Sequence, residues 1–346
     1  MDNNIKKWIF IGGAARSGTS LLQAIFNQHS ECVSPPESHL LPNYAYAPVS
    51  KITNALYDFE SLKKILTEDE KVQRLNISAD EVLANLKPGL NSVELFITYM
   101  NIFAAQRNKN ILVEGTPQNV WLSRRLKEQF PSSYIVHIIR DPRDVVMSTM
   151  NAEYTKKFDV NVQIVAEHYI LQYECGVDIA KSLFGNHYVQ VFYEDLITNP
   201  LIEIQRICKA LDLSFESSMM EFYKSSGQVA AAGESWKANL NNNFMNNNFG
   251  KWKSGMKEQD IIMVEEVCKR IFIDFPDKYQ KSDLRSNKSL FYIQKALLPL
   301  YKRKIKDLIK DKLWILKKTI TQIEIDNLPT VERLKLNGVF EALKKD

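Results

Sequence analysis

The stretch FIGGAARSGTSLL, residues 10–22, narrows the fold more than any other part of the chain. The apolar run Trp8–Ile11 leads into Gly12 and Gly13. Beyond Gly18, the residues Leu21, Leu22, Ile25 and Phe26 recur at helical spacing. A glycine turn between a buried strand and a helix aims successive backbone N–H groups at one point, and the helix N-terminus adds partial positive charge there. Such a turn cradles a tetrahedral anion. From Gly13 the spacing reads G-x-x-x-x-G-T-S, whereas a nucleoside triphosphate loop carries lysine and then serine or threonine in the last two places. Thr19 stands in the lysine position, and the cation, Arg16, comes two residues before Gly18. The hydroxyls of Thr19 and Ser20 and the forked guanidinium of Arg16 are the donors expected there. A turn that uses its glycines only for close packing is the alternative.

Three more short runs rich in branched or aromatic residues read as buried strands: Ile111–Val113, Tyr134–Ile139 and Tyr188–Phe192. After the third strand, DPRDVVMSTM opens a helix with Asp141 as N-cap and Pro142 in the first position. The fourth leads through YEDLITNP into an amphipathic helix that ends near Asp212. Alternating strands and helices predict an α/β fold, a P-loop-like parallel sheet flanked by helices. With 346 residues, 45% hydrophobic and 25% charged, the chain is long enough for one large core. Residues 30–109 form an aromatic-rich, mainly helical insertion, too long for a plain crossover and expected to cover the carboxyl edge of the sheet. Residues 238–252 are Asn-rich and read as a loop. The domain is expected to span 1–282, followed by a basic helical extension over 283–346.

Charge is uneven. From Arg285 onward there are 15 Lys/Arg against 7 Asp/Glu, so the net charge of +4 resides in the tail and the body is mildly acidic. That tail reads as a helix packed on the body with a solvated lysine face, or as a contact with an anionic membrane surface or polymer. Nothing in the charge pattern points to nucleic acid. Cys32, Cys175, Cys208 and Cys268 lie far apart beside apolar segments and read as buried free thiols in a cytoplasmic, reducing setting. The five histidines show no ligand spacing, and no metal site is expected. His29, at the end of the first helix, reads as a cap.

A second anion grip stands in HIIRDPRDVVMSTM, where Arg140 leaves a buried strand and Ser148 sits two turns along the next helix. Ligands of open α/β sheets bind at that carboxyl edge. Alternatively, Arg140 and Arg143 pair with Asp141 and Asp144 and merely cap the helix. Two grips on strand–helix units suit a nucleotide with phosphates at both ends of its ribose.

At this point the sequence resembles the sulfotransferase family, whose donor is 3′-phosphoadenosine 5′-phosphosulfate (PAPS). RSGTSLL is similar to that family's 5′-phosphosulfate loop and IIRDPRDVVMS to its 3′-phosphate motif. YEDLITNP and GKW follow in the family's order, over roughly residues 8–275. The arginine in the loop and PPESHLL after it resemble the carbohydrate and protein-tyrosine branches. The resemblance implies that the amides of Ser17, Gly18, Thr19 and Ser20 hold the 5′-phosphate, and that Arg140 with Ser148 holds the 3′-phosphate. It implies further that Lys251 and Trp252 close over the nucleotide, that Tyr193 lies near the donor, and that Arg16 stabilises the leaving phosphate. Glu37 matches the family's catalytic glutamate, with His39 as the rival base. One departure stands out: VEGTPQNV has Gly115 where relatives often carry a lysine, with Thr116, Gln118 and Asn119 at the same edge. The expected activity is metal-independent sulfuryl transfer to a hydroxyl or amine, of a carbohydrate first, with a peptide tyrosine or a small molecule as the other acceptors. A P-loop kinase or NTPase and a non-catalytic binding module for the desulfated nucleotide are the rival readings.

Overall fold

In a computed structural model of the chain, residues 5–41, 59–86, 92–153, 155, 160–225, 240–244 and 248–284 are described. All but Asp283 and Leu284 belong to the first of two units into which the chain divides, Met1–Ser282. The basic extension and its expected membrane contact lie outside the described residues, as do Tyr44, Tyr46 and Tyr57 of the insertion and parts of the Asn-rich loop.

Five strands form one parallel sheet: β1 (Lys7–Gly12), β2 (Cys32–Val33), β3 (Ile111–Glu114), β4 (Tyr134–Ile139) and β5 (Tyr188–Phe192), in the order β2-β3-β1-β4-β5. The four runs expected as strands are present. β2 is additional, and at two residues it has no period to read. Side chains alternate along β1: Trp8 and Phe10 enter one apolar cluster, Ile9 and Ile11 the other. Burial on both faces is why the strands of a parallel sheet read as unbroken apolar runs.

Helix α1 (Thr19–Asn27) lies in the second cluster and α2 (Ser92–Ala105) in the first. Three shorter helices between Phe59 and Asn85 contribute Leu62, Leu66, Val72 and Val82 to the same cluster as Trp8, Phe10 and Leu112. The described part of the insertion therefore builds the core on one face of the sheet. Its amphipathic helices bury their apolar sides there; among the described residues of the insertion, Lys71 and Arg74 reach the cleft at the carboxyl edge from these helices, and Glu37 and His39 reach it from the segment after β2. α3 (Pro142–Met150) starts as expected, with the Asp141 side chain accepting from the Arg143 amide. After β5 the amphipathic helix is present as Pro200–Ala210, and the segment expected as a turn ahead of it is itself a short helix, Tyr193–Thr198, that ends at Asn199 before Pro200. His29 does not cap α1: its buried ring bonds the Ser214 carbonyl, while Gln28 takes the C-cap position. All four cysteines are free; Cys32, Cys208 and Cys268 are buried and Cys175 is half-buried.

The strand order puts the site in place. From β1 the chain crosses to the edge strand β2 and returns to β3 beside β1, then passes to β4 and outward to β5 on the other side. The crevice where the direction reverses, between β1 and β4, is where open α/β sheets bind ligands. The glycine loop and Arg140 leave the carboxyl ends of these two neighbouring strands.

Candidate active site

The loop from β1 to α1 needs its glycines for close approach. A Cβ on Gly13 would lie 2.3 Å from the Ile138 carbonyl oxygen, and one on Gly18 would lie 2.6 Å from the Tyr193 ring. Both glycines have positive φ, and so does Arg16, at 73°. A left-handed arginine is strained, and its neighbours must hold it. Here they do: Arg16 Nε donates to Ser148 Oγ at 3.1 Å, and the Arg16 carbonyl accepts from Arg140 at 3.0 Å. Gly18 caps α1 without a side chain; its carbonyl accepts from the Leu21 and Leu22 amides, and the amides of Thr19 and Ser20 have no intrahelical acceptor. Among the four amides expected to hold phosphate, that of Ser17 instead donates to the Ala14 carbonyl. The Ser17 hydroxyl is fully buried without a partner.

Arg140 and Arg143 behave differently. Arg143 donates to both oxygens of Asp141 at 2.9 and 2.7 Å and to Glu265 at 2.8 Å, all buried. That is the capping role. Arg140 has no carboxylate hydrogen bond among the described residues: it donates to the carbonyls of Arg16 and Asn248 and lies 4.2 Å from the Tyr193 ring centre. Its Nε is buried and unpartnered. Tyr193 is buried, which raises its pKa, and it accepts from Asn248 Nδ2 at 2.7 Å. Lys251 Nζ donates to Asn248 Oδ1 at 2.7 Å. Trp252 does not line the cleft; it is buried 3.7 Å from the Arg143 guanidinium.

These groups open onto a cleft of about 730 Å³. Arg16, Gly18, Thr19, Ser20, Arg140, Ser148, Tyr193 and Lys251 line it, and so do Glu37 and His39. The His39 ring stands 3.6 Å from the Glu37 carboxylate. Gln118 also faces the cleft, with a buried and unpartnered Oε1. At the end of β3 the Glu114 carboxylate is buried; desolvation raises its pKa, and Thr116 and Asn119 donate to it.

The chain matches the sulfotransferase family over residues 9–217. It is a member of that family. Among its relatives, protein-tyrosine sulfotransferase A of Caenorhabditis elegans is 24% identical over 220 residues, which is 63% of this chain and 53% of the worm protein. The chain thus spans about half the length of that relative. Two solved structures share the fold at 19% identity: the sulfotransferase domain from the curacin biosynthetic pathway, with a TM-score of 0.56 over 77% of this chain and 97% of that one, and the sulfotransferase domain from the Synechococcus PCC 7002 olefin synthase, with 0.54 over 78% and 95%.

In this sulfotransferase the space beside Gly115 is filled from α1. A Cβ on Gly115 would meet the Gln23 side chain at 2.1 Å. Gln23 is buried and donates to Ser34 Oγ and the Pro35 carbonyl, just ahead of Glu37. Asp144 and Asn248 line the cleft and were not among the residues expected there. For Asp144 the available signal was its place in RDPRD, where it reads as a cap; Asn248 was hidden in a run of asparagines. Among the described residues no group of three or more His, Cys, Asp or Glu could hold a metal ion, and no helix is long and apolar enough to cross a membrane.

Proposed function

We propose that this sulfotransferase takes its sulfuryl group from PAPS and transfers it to an acceptor hydroxyl. The observation that carries the donor assignment is Arg140. It is a buried guanidinium at the cleft whose hydrogen bonds go to carbonyls, beside an aromatic face and the charge of Asp144, and it has an unpartnered Nε. Ser17 Oγ, a second orphaned donor, and the Gly13–Gly18 turn, which leaves no room for a Cβ, fit the other phosphate. Arg140 with Ser148 takes the 3′-phosphate. The first-turn amides, Thr19, Ser20 and Arg16 take the 5′-phosphosulfate, and Lys251 closes from the side.

Transfer forms a bond from the acceptor oxygen to sulfur as the bond from sulfur to the bridging oxygen breaks. The electron pair leaves with the 5′-phosphate. Arg16, already turned toward Ser148, faces that developing charge, and charge stabilisation of this kind is usually the largest catalytic contribution. Glu37 accepts the acceptor's proton, with His39 beside it. A kinase reading needs a lysine at Thr19 and a free acid for Mg²⁺. The cleft's Asp144 instead accepts the backbone amides of Gly250 and Trp252. The acceptor in this reading is a carbohydrate hydroxyl; the name of the worm relative favours a peptide tyrosine as the second candidate.

Calorimetric titration with 3′,5′-adenosine bisphosphate beside Mg-ATP tests the donor. Tight bisphosphate binding, weak Mg-ATP binding and a marked loss in Arg140→Ala are expected. Preference for Mg-ATP would overturn the assignment. Bisphosphate binding without transfer to any sugar or peptide acceptor would leave a binding module.

A further inference from the structure

A carboxylate at an anion site needs an explanation. Asp144 lines the cleft beside Arg140, is 1% exposed and has its pKa raised by burial. By charge alone it repels any ligand that carries phosphates. Its contacts account for its presence. One oxygen accepts from the Gly250 amide at 2.5 Å and the other from the Trp252 amide at 3.1 Å, so the two amides that flank Lys251 are both anchored to it. Gly250 turns there with φ of 70°. The same short segment reaches Arg140 through the Asn248 carbonyl and Tyr193 through the Asn248 amide, and Lys251 bonds that side chain in turn. One turn of α3 therefore grips the segment while Arg140, the residue before its N-cap, faces the cleft.

We propose that Asp144 is a positioning residue: it docks the 248–252 segment so that Lys251 and Asn248 stand at the donor site, and donor affinity depends on it despite its negative charge. The inference rests on the donor assignment above. Its decisive feature is the sign. If Asp144 acted only through its charge, removing it would tighten binding of a bisphosphate; if it docks the segment, removal weakens binding.

The test is calorimetric titration with 3′,5′-adenosine bisphosphate of the wild type, Asp144→Ala, Asp144→Asn, Lys251→Ala and the Asp144→Ala/Lys251→Ala double variant. Asp144→Ala is expected to weaken binding about 10- to 100-fold, the range for losing hydrogen bonds to a charged group. Asp144→Asn, which keeps a carbonyl acceptor, is expected to recover part of that. The double variant is expected to lose little beyond the worse single change, because an undocked Lys251 is already out of place. In turnover assays the donor KM rises while the acceptor KM stays, a split that general destabilisation would not give. Unchanged or tighter binding in Asp144→Ala, or additive losses in the double variant, would overturn the proposal; if the alanine variant does not fold, Asp144→Asn and Lys251→Ala carry the same comparison. A wild type that fails to bind the bisphosphate overturns the donor assignment instead, and the two failures are thereby told apart.

Discussion

The two sides of the cleft are built differently. On the side proposed for the donor, groups from the β1 and β4 loops, from the end of β5 and from the 248–252 segment fix one another: Arg16 by Ser148, Arg140 by the Arg16 carbonyl, Asn248 by Tyr193. On the acceptor side Glu37 and His39 follow a two-residue edge strand, and Lys71 and Arg74 come from short helices of the insertion. A fixed wall suits a ligand that never changes. A wall hung on an insertion can be altered without disturbing the sheet, which is where a family varies what it accepts.

Within the donor wall, Arg140 and Arg143 sharpen this contrast. Arg143→Ala strands the buried carboxylates of Asp141 and Glu265 and is expected to lower stability by about 3–5 kcal/mol, read by denaturant unfolding. Arg140→Ala breaks no carboxylate hydrogen bond and removes only a charge attraction on Asp144, which keeps its two backbone amide donors. It is expected to keep the fold and weaken bisphosphate binding about 100-fold, or about 2.7 kcal/mol. If the two effects exchanged places, the division between a structural and a ligand-facing arginine would be wrong. Across the cleft, Glu37→Gln is expected to lower kcat about 100-fold or more while leaving bisphosphate affinity as it is. A parallel loss of affinity would put Glu37 on the donor side.

Below the donor wall, β4 contains His137, buried, bonded to the Tyr188 hydroxyl at 2.8 Å, with its pKa pushed down by burial to about 3. The unfolded chain takes up this proton as pH falls through the ordinary histidine range, and the folded protein does not until about pH 3. Stability from His137 is therefore present above that range and lost on acidification, by about 2 kcal/mol at pH 5. Unfolding midpoints of the wild type and His137→Phe at pH 7 and pH 5 check this: the variant's curve is expected to be the flatter. Parallel slopes would assign the acid loss elsewhere.

What could be read from the sequence follows the same division. β1, β3 and β4 are mostly apolar because both faces are buried, β5 at the edge alternates buried and half-buried residues, and the anion motifs are local in sequence, so the approach of Arg16, Arg140 and Ser148 to one cleft was legible. That Arg140, and not Arg143, escapes the carboxylates depends on Glu265, more than 120 residues away. No local pattern carries that. Asp144 looked like a cap because its partners, Gly250 and Trp252, lie 106 and 108 residues away in sequence. The insertion was legible as helical, but which face of the sheet it covers is set by tertiary packing around Trp8 and Phe96, not by spacing.

The smallest expected effect tests whether the two walls are separate at all. Lys71 and Arg74 line the cleft from a helix of the insertion and are both half-buried. Contacts from partly solvated cations are worth about 1 kcal/mol or less. The Lys71→Ala/Arg74→Ala pair is therefore expected to raise the KM for an anionic acceptor about 2- to 5-fold, to leave a neutral acceptor nearly unaffected, and to leave bisphosphate affinity unchanged. Because screening weakens such contacts, the difference between the two acceptors is expected to shrink as salt is added. If bisphosphate affinity falls instead, these two cations help to hold the donor, and the insertion serves both substrates rather than one.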